Sequence, residues 1–384
     1  MEQKKRLQEL ARLFLKLGVL AFGGPAAHIA MMEEEVVTRR GWLERQQFLD
    51  LIGATQLIPG PNSTELAIHI GYERCGWRGL VVAGGCFIFP AMLIVWGLAA
   101  VYVHYQTVPQ IGWLLYGIKP VIVAIIVQAL WRLGRSAVKN IRTGVAGVAV
   151  MALALGGWHI LVLLLLAGLG VMLVDNWHRL GTPKGLMALV LPVAAQLPSG
   201  LTSQAVTDNA ASVMRIFWFF LKVGSVLYGS GYVLLAFLQD GLVERWQWLT
   251  SNQLLDAVAI GQVTPGPVFT TATFIGYLLA GHLGALMATV GIFLPSFILV
   301  MAVNPWIPKL RRSQWASGFL DGVNVASLGL MAVVTWKLAS TAVLDWVTGV
   351  LALLSCLAVF RFQINASWLV LGGGLVGLAF HLIG

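Results

Sequence analysis

Apolar residues run along this chain in blocks of about 20, with polar residues gathered into short stretches between them. Blocks near 80–103, 111–131, 283–303, 317–336, 341–360 and 366–383 predict helices long enough to cross a bilayer. Two shorter runs, 144–157 and 159–174, predict a tight helical hairpin. Four more, 13–32, 48–71, 216–237 and 253–277, are apolar but broken at their centres by glycine or proline.

Composition sharpens that picture. The chain is 58% apolar and 11% charged, with a mean hydropathy of +0.82, whereas soluble chains run at about 45–50% and about 25%. So few charges do not cover a water-facing surface of this size. The expected fold class is an all-α polytopic membrane protein with roughly ten membrane segments. A net charge of +9 would suggest nucleic acid as a partner in a soluble protein. Here the cations sit in loops between apolar runs, the positive-inside pattern, so the expected partner is the lipid bilayer. Cys75, Cys86 and Cys356 lie far apart, and no histidine spacing suggests a metal site. Phosphate-loop, HExxH and GxSxG motifs are all missing. No cofactor and no enzymatic activity are expected.

The broken segments repeat. Phe14-Leu15-Lys16-Leu17-Gly18 recurs as Phe220-Leu221-Lys222-Val223-Gly224, an offset of 206. At that offset Trp42-Leu43 meets Trp248-Leu249, Asp50 meets Asp256, and Pro59-Gly60-Pro61 meets Pro265-Gly266-Pro267. After a one-residue deletion, Ile70-Gly71-Tyr72 meets Ile275-Gly276-Tyr277, and Pro90, Gly117 and Trp131 meet Pro295, Gly322 and Trp336. The expected halves are residues 1–184 and 212–384, joined by a linker over 185–211 whose apolar run crosses the membrane. Lys4, Lys5 and Arg6 before an apolar run resemble a signal peptide. Duplication of that segment argues that it stays in the mature fold.

Equivalent loops carry opposite charge. His104 to Gln110 has no lysine or arginine, while its counterpart holds Lys309, Arg311 and Arg312. Conversely, Arg132, Arg135, Lys139 and Arg142 face a counterpart with Lys337 alone. The halves should therefore lie upside down relative to each other, as inverted-topology repeats. Whether the broken segments cross or turn back as re-entrant hairpins stays open, and hairpins would put Arg39, Arg40 and Arg45 on the cytoplasmic side.

The breaks are Gly23-Gly24-Pro25, Pro59-Gly60-Pro61, Gly229-Ser230-Gly231 and Pro265-Gly266-Pro267. Each ends one half-helix and starts another. A helix start presents unpaired N–H groups and about half a positive charge, which suits an anion. Paired interruptions in two halves point to a substrate site. Polar residues follow them: Asn62, Ser63, Thr64 and Glu65 after the first Pro-Gly-Pro, Thr270 and Thr271 after the second. Glu65 is the sharpest candidate for a coupling proton, with His28 as another proton or anion ligand. Both also have plain structural readings. Lys16 and Lys222, seven residues before the glycine breaks, are candidate cations for a divalent oxyanion, or they snorkel to the interface. Asp50 and Asp256 read as helix caps, and Trp42, Trp248, Trp131 and Trp336 as interfacial anchors.

The order Phe22-Gly23-Gly24-Pro25-x-x-His28, then Glu33 to Val37, Trp42, Phe48 and Gln56 through Pro61, resembles the chromate ion transporter family. Gly229 through Tyr232 and Gln262 through Pro267 are similar to its carboxy-terminal domain. The resemblance implies a two-domain bacterial inner-membrane protein that exports chromate, driven by the proton motive force or by ion exchange. Its motif residues map to Gly23, Gly24, Pro25, His28, Pro59, Gly60, Pro61 and their second-half equivalents. Leu234 stands at the place of His28, Thr271 near that of Glu65 and Gly231 at that of Pro25, so a single asymmetric site is expected. Chromate and sulfate share charge and shape, and either is an acceptable substrate. The expectation is a secondary oxyanion transporter that confers chromate resistance, an antiporter whose halves rock, with a cytoplasmic N-terminus. A sulfate permease, an exchanger and an anion channel remain alternatives, and a homodimer stays open.

Overall fold

The structure, a computed structural model, describes residues 2–22, 24–105, 108–176, 211–228, 231–304 and 313–383. Gly23, Gly229, Ser230, the 185–210 part of the linker and the basic loop with Lys309, Arg311 and Arg312 lie outside the described residues. Fourteen α-helices and no strand are found among those described. The all-α polytopic membrane fold is therefore in place. Helix is the expected outcome, because hydrocarbon offers backbone N–H and C=O groups no other partner.

The first half comprises α1 (Glu2–Leu20), α2 (Gly24–Glu33, continuing as a π-helical turn over Glu34–Arg39), α3 (Arg45–Thr55), α4 (Asn62–Tyr105), α5 (Pro109–Ala137), α6 (Ile141–Leu155) and α7 (Ile160–Asp175). The second half repeats that order. It has α8 (Val213–Val226), a 3₁₀ turn (Gly231–Val233) leading into α9 (Leu234–Leu238), a π turn over Gln239–Arg245, and α10 (Ser251–Val263). After a 3₁₀ turn at Val268–Thr270 come α11 (Thr271–Val303), α12 (Gln314–Ala342), α13 (Trp346–Phe362) and α14 (Ala366–Ile383).

The repeat extends to the caps. Glu44 with Gln47 and Thr250 with Gln253 form reciprocal capping boxes, as do Asn140 with Thr143 and Asp345 with Thr348. The Thr348 backbone N–H, then the Tyr116 hydroxyl, hold the Asp345 carboxyl below the usual carboxylate range. Asp50 and Asp256 are not caps. They lie inside α3 and α10, because Glu44 and Thr250 start those helices one turn and a half earlier.

α4 is 44 residues long, yet it is not a straight rod. Cys75 (φ −143°, ψ 21°) and Gly76 (φ 61°, ψ −150°) leave the helical region, and Ala280 (φ −148°, ψ 28°) and Gly281 (φ 61°, ψ −146°) do the same in α11. Eight residues of straight helix span about 12 Å. Here Gly71 and Gly79 press backbone to backbone, as do Gly276 and Gly284, and the Thr273 and Thr289 hydroxyls are 2.7 Å apart. Each long helix is therefore a hairpin whose chain reverses at a glycine with positive φ, a conformation only glycine adopts without cost. Arg74 and Arg78 flank the first reversal.

The second legs of α4 and α11 pack on each other and run in opposite directions. Gly84 faces the Phe297 ring and Trp96 bonds His282, so partner numbers fall as the chain rises. Equivalent helices that touch while antiparallel are related by an axis across them, which is the inversion that the loop charges call for. A second exchange ties the halves together. The α6–α7 hairpin packs on α12, and the α13–α14 hairpin packs on α5. Gly322 abuts the Ala167 carbonyl, and Gly117 abuts that of Gly373. Each half thus lodges its hairpin in the other, so the packed units of the molecule do not coincide with the halves of its sequence.

An ion pair adds to this join. Lys119 of α5 lies 3.4 Å from Asp256 of α10, which also accepts from Tyr102 of α4 at 2.9 Å. Asp256 is 5% and Lys119 18% exposed at the side chain. Removing one member strands a poorly hydrated charge, so Lys119→Met is expected to cost on the order of 3 kcal/mol. The melting temperature in detergent should fall, and adding Asp256→Asn should recover much of the loss. A double variant no better than the single one would show that the pair is not coupled.

Candidate functional site

All four broken segments turn back on themselves. In the first, Lys16 Nζ bonds Glu35 at 2.9 Å and His28 reaches back to Ala21, so α1 and α2 lie side by side. In the second, the Arg74 guanidinium sits 3.8 Å over the Trp42 ring, which places the end of the first α4 leg beside the start of α3. Gly241 against Phe219 and Gly261 against Thr271 record the same closure in the second half. Glu9 and Arg74 join the open ends of the first two hairpins at 2.6 Å. Arg39, Arg40, Arg45, Arg74 and Arg78 consequently share one face with the N-terminus.

The hairpin tips meet. Gly60 N–H donates to the Leu227 carbonyl at 2.7 Å, and Gly266 N–H donates to the Ala21 carbonyl at 2.9 Å. These two bonds are repeat images of each other: the Pro-Gly-Pro tip of each half docks on the first break of the other. Gly60 (φ 145°) and Gly266 (φ 87°) hold backbone conformations closed to other residues. Helices begin at each tip, at Gly24, Asn62, Gly231 and Val268. Four positive helix ends are gathered in one place. Ser63 (3% exposed), Thr64 and Glu65 (both 0%), Thr270 (0%) and Thr271 (2%) line it, shut away from solvent.

The two sides of this site differ in how their polar groups are satisfied. On the second-half side Thr270 donates to the Pro267 carbonyl and Thr271 to that of Val268, both at 2.8 Å. On the first-half side Glu65 Oε1 accepts from Ser296 at 3.4 Å, while Glu65 Oε2 and Thr64 Oγ1 have no partner. Buried polar atoms are almost always paired, so these two set the first-half side apart from the second. The asymmetry expected from the sequence is thus visible in the hydrogen bonds.

His28 is buried and fully engaged. Its Nε2 lies 3.0 Å from the Ala21 carbonyl, which only accepts, so Nε2 carries the hydrogen. Nδ1 then accepts from the Ser63 hydroxyl at 3.3 Å. The ring also packs edge-on against Phe87. Lys16 is directed to Glu35, which Arg39 and Arg40 also contact, and its side chain is half exposed. Lys222 is exposed on α8. Neither lysine is brought to the tips. Pro25, Pro59, Pro61, Asn62, Gly231, Pro265 and Pro267 are all at them.

Sequence reasoning passed over Ser296, Ala21, Leu227 and His69. His69 is fully buried one helical turn beyond Glu65, with the Asn304 side chain beside it and no hydrogen bond of normal geometry at either ring nitrogen. Its i, i+4 spacing from Glu65 was the available signal.

The family described as chromate transporter matches residues 8–172 and 214–378. A chromate transport protein of Cupriavidus metallidurans is 31% identical over 382 residues, 97% of this chain and 92% of that protein. A chromate transport protein of Pseudomonas aeruginosa is 31% identical over 380 residues, 96% of this chain and 91% of its own length. An uncharacterized transporter of Methanocaldococcus jannaschii is 27% identical over 348 residues, 87% and 84% of the two chains. No solved structure matches the chain.

Proposed function

Because the chain belongs to the chromate transporter family, we propose that it is a secondary transporter carrying chromate through the junction of the four hairpin tips. The carrying observation is the reciprocal pair of tip bonds, Gly60 to Leu227 and Gly266 to Ala21, which gathers four helix starts around one buried place. A tetrahedral dianion has no preferred face, and helix ends converging from several directions suit it. Thr64 adds a hydroxyl donor, while Ser63, Thr270 and Thr271, whose hydroxyls already donate to His28, Pro267 and Val268, shape the wall. Glu65 couples the anion to protons. The closed site offers its carboxyl no cation, and a bare charge removed from water costs several kcal/mol, so closure is linked to proton exchange.

The face that collects the N-terminus and Arg39, Arg40, Arg45, Arg74 and Arg78 is cytoplasmic in this reading, by the positive-inside rule. Counting crossings from it leaves the residue 176 end of α7 on the same side. The membrane is the bacterial inner membrane. A negative-inside potential expels a dianion with about 4.6 kcal/mol per 100 mV, so export is electrically downhill and would confer resistance. Sulfate, of equal charge and shape, is the competing substrate.

The test is chromate efflux from proteoliposomes under an imposed potassium diffusion potential, with sulfate as competitor. Expected is saturable efflux, faster when the inside is negative and inhibited competitively by sulfate. Unsaturable flux with a matching electrical current would replace the transporter by a channel.

A further inference from the structure

We propose that His69 is the proton relay between Glu65 and the arginine-rich face, and that His28 is not a proton carrier. The inference rests on Glu65 as the coupling carboxyl. Two buried histidines flank the site, and their surroundings differ. His28 has both nitrogens engaged, with Ala21 and Ser63, and a proton added at Nδ1 would require the Ser63 hydroxyl to turn and accept instead of donate. His69 is 0% exposed, with no hydrogen bond of normal geometry at either nitrogen and the Asn304 side chain as its hydrogen-bonding neighbour. Burial disfavours a doubly protonated ring, so an imidazole at this depth takes a proton on one nitrogen only as it releases one from the other.

Its place in the fold gives the direction. The first leg of α4 starts at the tips with Asn62 and ends beside Arg74, whose partners are Glu9 and the Trp42 ring. Thr64, Glu65 and His69 follow one another along that leg, each with an unpartnered polar atom. Residues four apart on a helix have Cβ atoms about 5–6 Å from each other, a gap that one bridging water spans. Asn304, at the end of α11, faces His69 from outside the helix. Tyr72 lies on the same leg. No ion pair reaches His69 among the described residues.

The second half has no such column. Phe274 stands at the equivalent of His69, and Thr270, Thr271 and Thr273 are all hydrogen-bonded. The column toward the arginine-rich face is therefore built on the first half alone. In each transfer the Glu65 carboxyl gives its proton to one ring nitrogen of His69. The other nitrogen then releases its own toward Asn304 and the water at the arginine-rich face.

The experiment uses the full chain in proteoliposomes, with chromate flux and internal pH followed together for wild type, His69→Gln, Glu65→Gln and His28→Gln. Expected for His69→Gln is a wild-type melting temperature and intact chromate exchange at equal pH. Proton movement with chromate should fall at least tenfold, and the pH profile of flux should flatten. His28→Gln should lower the melting temperature and leave the pH profile of the remaining flux in place. Wild-type proton movement and pH profile in His69→Gln would overturn the relay. If Glu65→Gln still abolishes proton movement, only the relay is lost; if it too is silent, proton coupling at this site fails as a whole. Should His69→Gln not fold, His69→Phe, with the second half's own residue at that place, carries the same test.

Discussion

Gly60→Ala is expected to lower chromate flux about a hundredfold. The position holds φ at 145°, where a side chain costs about 1–3 kcal/mol in backbone strain. A methyl group there would also collide with Glu65 Oε1 and the Ser296 hydroxyl. Either the tip withdraws and breaks its bond to the Leu227 carbonyl, or the carboxyl is driven out of its place. A combined effect of about 3 kcal/mol corresponds to two powers of ten. Initial flux measured beside the melting temperature separates a displaced site from an unfolded chain. Gly266→Ala, at φ 87° and with Ala91 Cβ 2.6 Å away, should show a similar loss. Gly85→Ala faces open space and should be silent. Flux within twofold of wild type in Gly60→Ala would remove the tip from the transport path.

Glu65→Gln carries the second large effect, and it differs in kind. Glutamine keeps the shape, the length and an acceptor for Ser296, so the fold should hold, with an unchanged or slightly raised melting temperature. What it removes is the exchangeable proton. Chromate flux driven by an imposed pH gradient is expected to fall at least tenfold and to lose its dependence on the gradient. A purely structural carboxyl would give the reverse: altered stability with gradient-driven flux intact. Measuring both quantities on one preparation decides between them.

Much of this arrangement is written locally in the sequence. Pro-Gly-Pro cannot continue a helix wherever it stands, so the breaks announce themselves, and the duplicate at a fixed offset doubles the signal. The capping pairs Asn140–Thr143 and Asp345–Thr348 are equally local. The reversal at Cys75–Gly76 shows only as a gap between two apolar runs with Arg74 and Arg78 inside it. Asp50 and Asp256 mislead for a physical reason. A carboxylate near a helix start looks like a cap, and the partners of Asp256, Tyr102 and Lys119, are more than a hundred residues away. His28 and His69 are alike in sequence, each on an apolar stretch just past a break. Only three-dimensional packing shows that one has both nitrogens hydrogen-bonded and the other has only the Asn304 side chain beside it. Lys16 and Lys222 repeat faithfully, yet the first is held by Glu35 and the second faces outward. Repetition preserved their position, and the hairpin tips assemble without them.

The exchanged hairpins bear on how the protein is made. α5 enters the membrane early in synthesis, but the surface it needs is supplied by α13 and α14, which leave the ribosome more than two hundred residues later. α12 finds its own cover, α6–α7, already waiting. Contacts of such long sequence separation close slowly, and unfinished intermediates expose packing faces in the meantime. For most of translation the nascent chain therefore holds α5 in lipid without its native neighbours. Quality control in the membrane has a long window in which to reject it, and a ribosome stalled before residue 346 would leave no partly working product.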